Sequence, residues 1–189
     1  LNFYEGIKYF INTTQIQSPI FYIVIANLIN VFGNHIVSSL YLIISSTLPL
    51  IIYNLLKAKF RKTDKNYLFY LSLLIFLSPY FRSSAVWLTN DNLALVFFAL
   101  SIKYFFKISN SNSSITKNHF YCFVFLALAA YIRQYYAIFI IYYLVCLLEK
   151  KYLAKSIQIL LINFLLSIPC IIYYYLFYKS NNHIFFSTT

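Results

Sequence analysis

Between two apolar stretches of this sequence runs Ser78-Pro-Tyr-Phe-Arg-Ser-Ser-Ala-Val-Trp-Leu-Thr-Asn-Asp-Asn92, which puts a carboxylate, a guanidinium, a tryptophan and several amides into one short segment. A carboxylate such as Asp91 can bind a metal ion or orient a sugar hydroxyl, and the planar fork of Arg82 suits a phosphate. Trp87 and Asn92 would add an aromatic face and an amide to a substrate-binding turn. A second candidate is Arg133-Gln134, where a guanidinium between two short apolar runs can hold a lipid-linked phosphate. The same residues also admit a plain structural reading. Asp91 and Asn92 can cap the next helix, Arg82 can snorkel to an interface, Trp87 can sit in an aromatic belt, and Arg133 can pair with Asp91 or serve as an anchor.

What must position these groups is an apolar scaffold. Of 189 residues, 61% are hydrophobic, 22% aromatic and 10% charged, whereas a soluble globule needs roughly a quarter charged. A bilayer is the solvent this composition suits, and at roughly 20 residues per crossing the length allows about six or seven spans. The net charge of +11 would raise nucleic-acid binding in a soluble protein. Here the basic residues fall in short clusters between apolar runs, the pattern of cytoplasmic loops, so nucleic acid is excluded as a partner and membrane lipid is expected.

Three such clusters, Lys57–Lys65, Lys103–Lys117 and Lys150–Lys155, hold eleven of the fifteen Lys and Arg. If all three are cytoplasmic, the chain between any two must cross an even number of times. The fold expected is therefore all-α, a polytopic transmembrane bundle with spans near 36–56, 67–80, 92–107, 119–132, 135–148 and 156–177. An interfacial helix is expected at 19–32. Parity then puts 79–91 and 133–134 on the outer face, with Arg82, Asp91 and Arg133. Pro169 inside the last span is tolerated where neighbours satisfy the freed carbonyl.

Other polar residues carry less. His35 and His119 fall at helix ends on opposite sides, cannot share a metal and are expected to be solvated; His183 lies in a polar tail. Cys122, Cys146 and Cys170 sit in apolar runs and read as small buried hydrophobes. Asn12-Thr-Thr14 is an acceptor pattern relevant to a eukaryotic secretory setting. There is no Met, so residue 1 is not an initiator. Residues 1–189 are expected to form a single transmembrane domain truncated at the N-terminus and at the C-terminus.

The order of features resembles GT-C superfamily membrane glycosyltransferases of the protein-mannosyltransferase-like kind. Gln15-Ile-Gln-Ser-Pro-Ile-Phe-Tyr22, then Val31-Phe-Gly33, then an apolar span from Ile36 closed by a basic loop, looks like the surface helix and following span of those enzymes. Pro79, Thr89 and Asp91 before an apolar helix are similar to their outer-loop Thr-Asp element, with one extra residue in Thr89-Asn90-Asp91. Arg133-Gln134 is similar to the Arg-Gln of dolichyl-phosphate-glucose α-1,2-glucosyltransferases, although Tyr135-Tyr136 follows it. The likeness runs over roughly residues 3–150.

The resemblance implies transfer of a sugar from a polyprenyl-phosphate donor to a glycan, lipid or protein acceptor on the periplasmic or luminal face. It places the principal acidic residue just before Leu1 as general base, with Asp91 assisting through acceptor or divalent-metal contacts. Arg82 or Arg133 would neutralise the departing lipid phosphate. The implied location is a multi-pass protein of the bacterial inner membrane or endoplasmic reticulum. A transporter or flippase subunit that uses the same outer groups to bind cargo is the alternative, though Pro49, Pro79 and Pro169 form no paired pattern of broken helices.

Overall fold

The computed structural model describes residues 20–108, 117–147 and 153–186, and among these every regular element is helical. In chain order they are α1 (Ile20–Phe32), α2 (Asn34–Ser46), α3 (Leu48–Lys59), α4 (Lys65–Leu73) continuing into a 3-10 turn (Leu74–Leu77), and α5 (Pro79–Val86). There follow α6 (Asn90–Ile108), α7 (Lys117–Ile132), a second 3-10 turn (Gln134–Ala137), α8 (Ile138–Leu147) and α9 (Leu153–Phe186). Glu5, the Asn12–Thr14 pattern and most of the Gln15–Tyr22 stretch fall outside the described residues.

Local chemistry sets the breaks. A helix is present where an interfacial one was expected, as α1, and it stops at Phe32, because Gly33 turns the chain at φ 83, a conformation that suits a residue without Cβ. Lys57 and Lys59 close α3, where cations offset the negative helix end. Asp64 caps α4 by accepting from the Asn66 N–H at 3.0 Å. Ser78 caps α5 by accepting from the Phe81 N–H at 3.3 Å, with Pro79 at the first helical position, where its missing N–H costs nothing.

Alongside a core that includes Leu48, Phe123 and Leu126, many large apolar side chains face outward. Large apolar side chains such as Val31, Leu77, Ile138 and Val145 are 67–74% exposed, while small ones, Ala94, Ala99, Ala129, Ser101 and Cys122, are buried. The small residues lie on α6 and α7, the most extensively packed helix pair. Small residues let two backbones approach closely, which is how helices associate when the solvent is itself apolar.

Among the described residues, two continuous runs are long and apolar enough to cross a membrane, Asn34–Lys59 and Ser156–Tyr173; Lys65–Leu77 with Pro79–Val86 makes a third if that pair, bent by 66°, is one span. These are fewer than the six spans, some of them short, that the charge pattern leads one to expect. The 67–80 run is cut by the Ser78-Pro79 bend. Asp91, Lys103 and Lys107 interrupt the apolar surface of α6. Arg133 divides the 119–148 stretch into helical runs Lys117–Ile132 and Gln134–Leu147, each short of the roughly 20 residues a full crossing takes. Two smaller expectations also change: His119 is buried, and Cys146 is exposed.

Candidate functional site

Asp91 owes its position to the short turn between α5 and α6. The Trp87 N–H donates to the Ser83 carbonyl at 2.9 Å and the Thr89 N–H to the Ser84 carbonyl at 3.2 Å, closing α5 with a doubled cap. That closure forces Leu88 to φ 51, a left-handed conformation normally left to glycine and costing a leucine roughly 1–2 kcal/mol. Tertiary bonds hold the turn in place. The Ser84 and Thr89 hydroxyls are 2.5 Å apart, and the Tyr41 phenol, arriving from α2, donates to the Thr89 carbonyl. Asp91 is thereby set in the first turn of α6, where the positive end of the helix favours an anion.

Arg133 reaches it from the other side. After α7 the backbone at Arg133 is extended (φ −135, ψ 108), and its Nε lies 2.7 Å from Asp91 Oδ1. The two side chains are 24% and 12% exposed, so the pair is largely withdrawn from solvent while one edge stays reachable. The Thr89 hydroxyl donates to Asp91 Oδ2 at 3.4 Å, and the Tyr80 phenol also bonds the carboxylate. Burial pushes the Asp91 carboxyl up, but Arg133, Tyr80 and Thr89 outweigh it and hold the group below the usual aspartate value of 3.8. Tyr80 responds in the opposite sense: its bond to Asp91 holds its proton on and raises it above 10.0.

Beside this pair is a pocket of about 150 Å³ whose lining includes Tyr80, Asp91, Asn92, Tyr135 and Tyr136. Tyr80 and Tyr135 are 63% and 57% exposed and present aromatic faces at the rim, while Tyr136 is buried. Asn92 lines the pocket, but one of its amide donors is spent on the Phe81 carbonyl at 2.9 Å, which ties α5 down onto α6. The neighbouring Asn90 is buried with neither amide atom hydrogen-bonded, and nothing in the structure explains it.

Of the six residues singled out in sequence, Asp91 and Arg133 meet in an ion pair, the pairing foreseen in the structural reading, and Asn92 lies beside them. Arg82 and Trp87 are exposed on and just after α5, and Gln134 is exposed in the second 3-10 turn; none of the three lines the pocket. Tyr41, Tyr80 and Ser84 went unrecognised, since one tyrosine among 20 carries no signal of its own. No group of three or more His, Cys, Asp or Glu comes together among the described residues. With Asp91 committed to a guanidinium, these residues do not supply a divalent-metal site.

Set against protein-family models, curated proteins and solved structures, the chain matches none. The functional reading therefore rests on the residues and their geometry.

Proposed function

We propose that the chain is part of an integral membrane glycosyltransferase that moves a sugar from a polyprenyl-phosphate donor to an acceptor hydroxyl on the outer face. The observation that supports this best is the Asp91–Arg133 pair at the edge of an aromatic-lined pocket. A hydroxyl-rich ring can lie on the faces of Tyr80 and Tyr135 while donating to Asp91, and 150 Å³ is a space on the scale of one ring. In this reading the protein is multi-pass, and α6, α7 and the Gln134–Leu147 run cross as short helices accommodated by local bilayer thinning or burial among neighbours.

In the transfer, the acceptor oxygen bonds to the anomeric carbon as that carbon's bond to the phosphate oxygen breaks. The phosphate leaves with an added negative charge. Arg133 offers donors beyond the Nε that faces Asp91 and can take up part of that charge. Asp91 has a depressed pKa and an ion-pair partner, both of which make it a weak base toward a hydroxyl. Its proposed work is to orient the acceptor and balance Arg133. Deprotonation of the acceptor hydroxyl needs a stronger base than Asp91.

The test is reconstitution of the whole gene product in proteoliposomes with a panel of radiolabelled polyprenyl-phosphate sugars and membrane or glycan acceptors. Transfer from at least one donor is expected, and Asp91→Asn should lower it by about tenfold or more with insertion unchanged. Absence of transfer from every donor, together with counterflow of an intact solute, would turn the assignment to a transporter.

A further inference from the structure

A second and larger recess lies away from the ion pair, between α3 and α8 with α6 as its floor, enclosing about 460 Å³. Phe98, Ile102 and Phe106 of α6 form the floor, Phe139 and Tyr142 of α8 one wall, and Lys59 of α3 stands at the rim. Phe98 and Phe139 meet at 4.5 Å between ring centroids, so floor and wall join as one aromatic surface. Helical spacing puts Phe98, Ile102 and Phe106 on one stripe of α6, with Lys103 flanking that stripe and half-buried.

Among the described residues, the charged side chain lining the rim is cationic. Lys59 lies at the end of α3, and Lys57, Arg61 and Lys62, all exposed, follow the same exit from the membrane. The one carboxylate in this connection, Asp64, is turned to cap α4. The recess thus combines hydrocarbon-like walls with a cationic border on the side that the positive-inside rule assigns to the cytoplasm.

We infer that this recess binds an anionic glycerophospholipid of the cytoplasmic leaflet, its acyl chain against Phe98, Ile102 and Phe106 and its phosphate at Lys59 and Lys103. Basic pockets between membrane helices on the cytoplasmic face recognise such headgroups by this complementarity. A zwitterionic lipid could fill the same walls without answering the lysines. The inference rests on the orientation set by the basic loops and is independent of sugar transfer.

The experiment places the full-length protein in nanodiscs doped with a phosphatidylglycerol bearing a diazirine in its acyl chain, and maps photo-crosslinks by mass spectrometry. Crosslinks are expected within 98–106 and 138–143, competed by unlabelled phosphatidylglycerol and not by phosphatidylcholine. Lys59→Gln combined with Lys103→Gln should reduce labelling there at least about fivefold, the worth of roughly one lysine near an anionic surface. Labelling on the Ser156–Tyr173 face should stay constant and reports a folded, inserted protein. Equal labelling by a phosphatidylcholine probe, or labelling indifferent to the double substitution in the inserted protein, overturns the inference. So does absence of label in the recess from both lipids, which would mean that another segment of polypeptide covers it.

Discussion

At one end of the α6–α7 pair, Asp91, Arg133, Thr89 and Tyr80 make a charged cluster with an exposed edge, beside a left-handed leucine and an amide with no partner. At the other end, the Ser101 hydroxyl donates to the Cys122 carbonyl at 2.9 Å and lies 3.4 Å from the Tyr143 phenol, all three residues being fully or nearly fully buried. The second cluster is neutral, sealed and satisfied; its groups spend their hydrogen bonds on joining α6, α7 and α8. The first retains charge, access and local strain that packing alone does not call for. Buried polarity in one helix pair can therefore have two origins, and exposure together with unspent bonding capacity separates them.

The largest effect should come from breaking the charged cluster. Arg133→Leu strands the Asp91 carboxylate in a mostly enclosed site, and we expect about 1–3 kcal/mol lost in denaturation from mixed micelles. This is less than the roughly 3–5 of a fully buried pair, because both side chains keep some solvent. Asp91→Asn in the Arg133→Leu background should return part of that loss. A single-variant loss no greater than for a surface charge would show that the pair is ornamental to the fold.

A smaller effect is expected at the sealed cluster. Ser101→Ala should cost about 0.6 kcal/mol, the average for hydrogen bonds between membrane helices, and leave any transfer activity unchanged. An activity loss there without a stability loss would erase the distinction between the two ends.

Acid provides the mildest probe. Because the folded carboxyl of Asp91 lies below its unfolded value near 3.8, its contribution to stability is complete above that pH and is lost as pH falls through the lower folded value. A stability profile from pH 6 to 3 should therefore decline more steeply for wild type than for Asp91→Asn in its last unit. Parallel profiles would remove Asp91 from the account of acid sensitivity.

Much of the scaffold was legible because helices declare themselves locally. The apolar run 36–56 appears within Asn34–Lys59, α1 ends beside Gly33, and Arg133 marks the break between two short helices. Span number was less legible for a physical reason: charge parity counts crossings, while the length and continuity of each helix depend on bends such as Ser78-Pro79 that parity does not register. Asp91 and Arg133 were conspicuous as rare charges in an apolar sequence, and charge is a property of the residue itself. Their meeting at 2.7 Å, the burial of Asn92 against Phe81, and the removal of Arg82, Trp87 and Gln134 from the pocket are properties of packing. Tyr41 shows the division most sharply. In sequence it is one tyrosine of 20 inside an apolar run, yet its phenol crosses from α2 to the Thr89 carbonyl and helps fix the turn that carries Asp91. Residue chemistry alone determined which side chains could act, and tertiary contacts decided which of them act together, because a hydrogen bond between distant segments has no periodicity to leave in the chain.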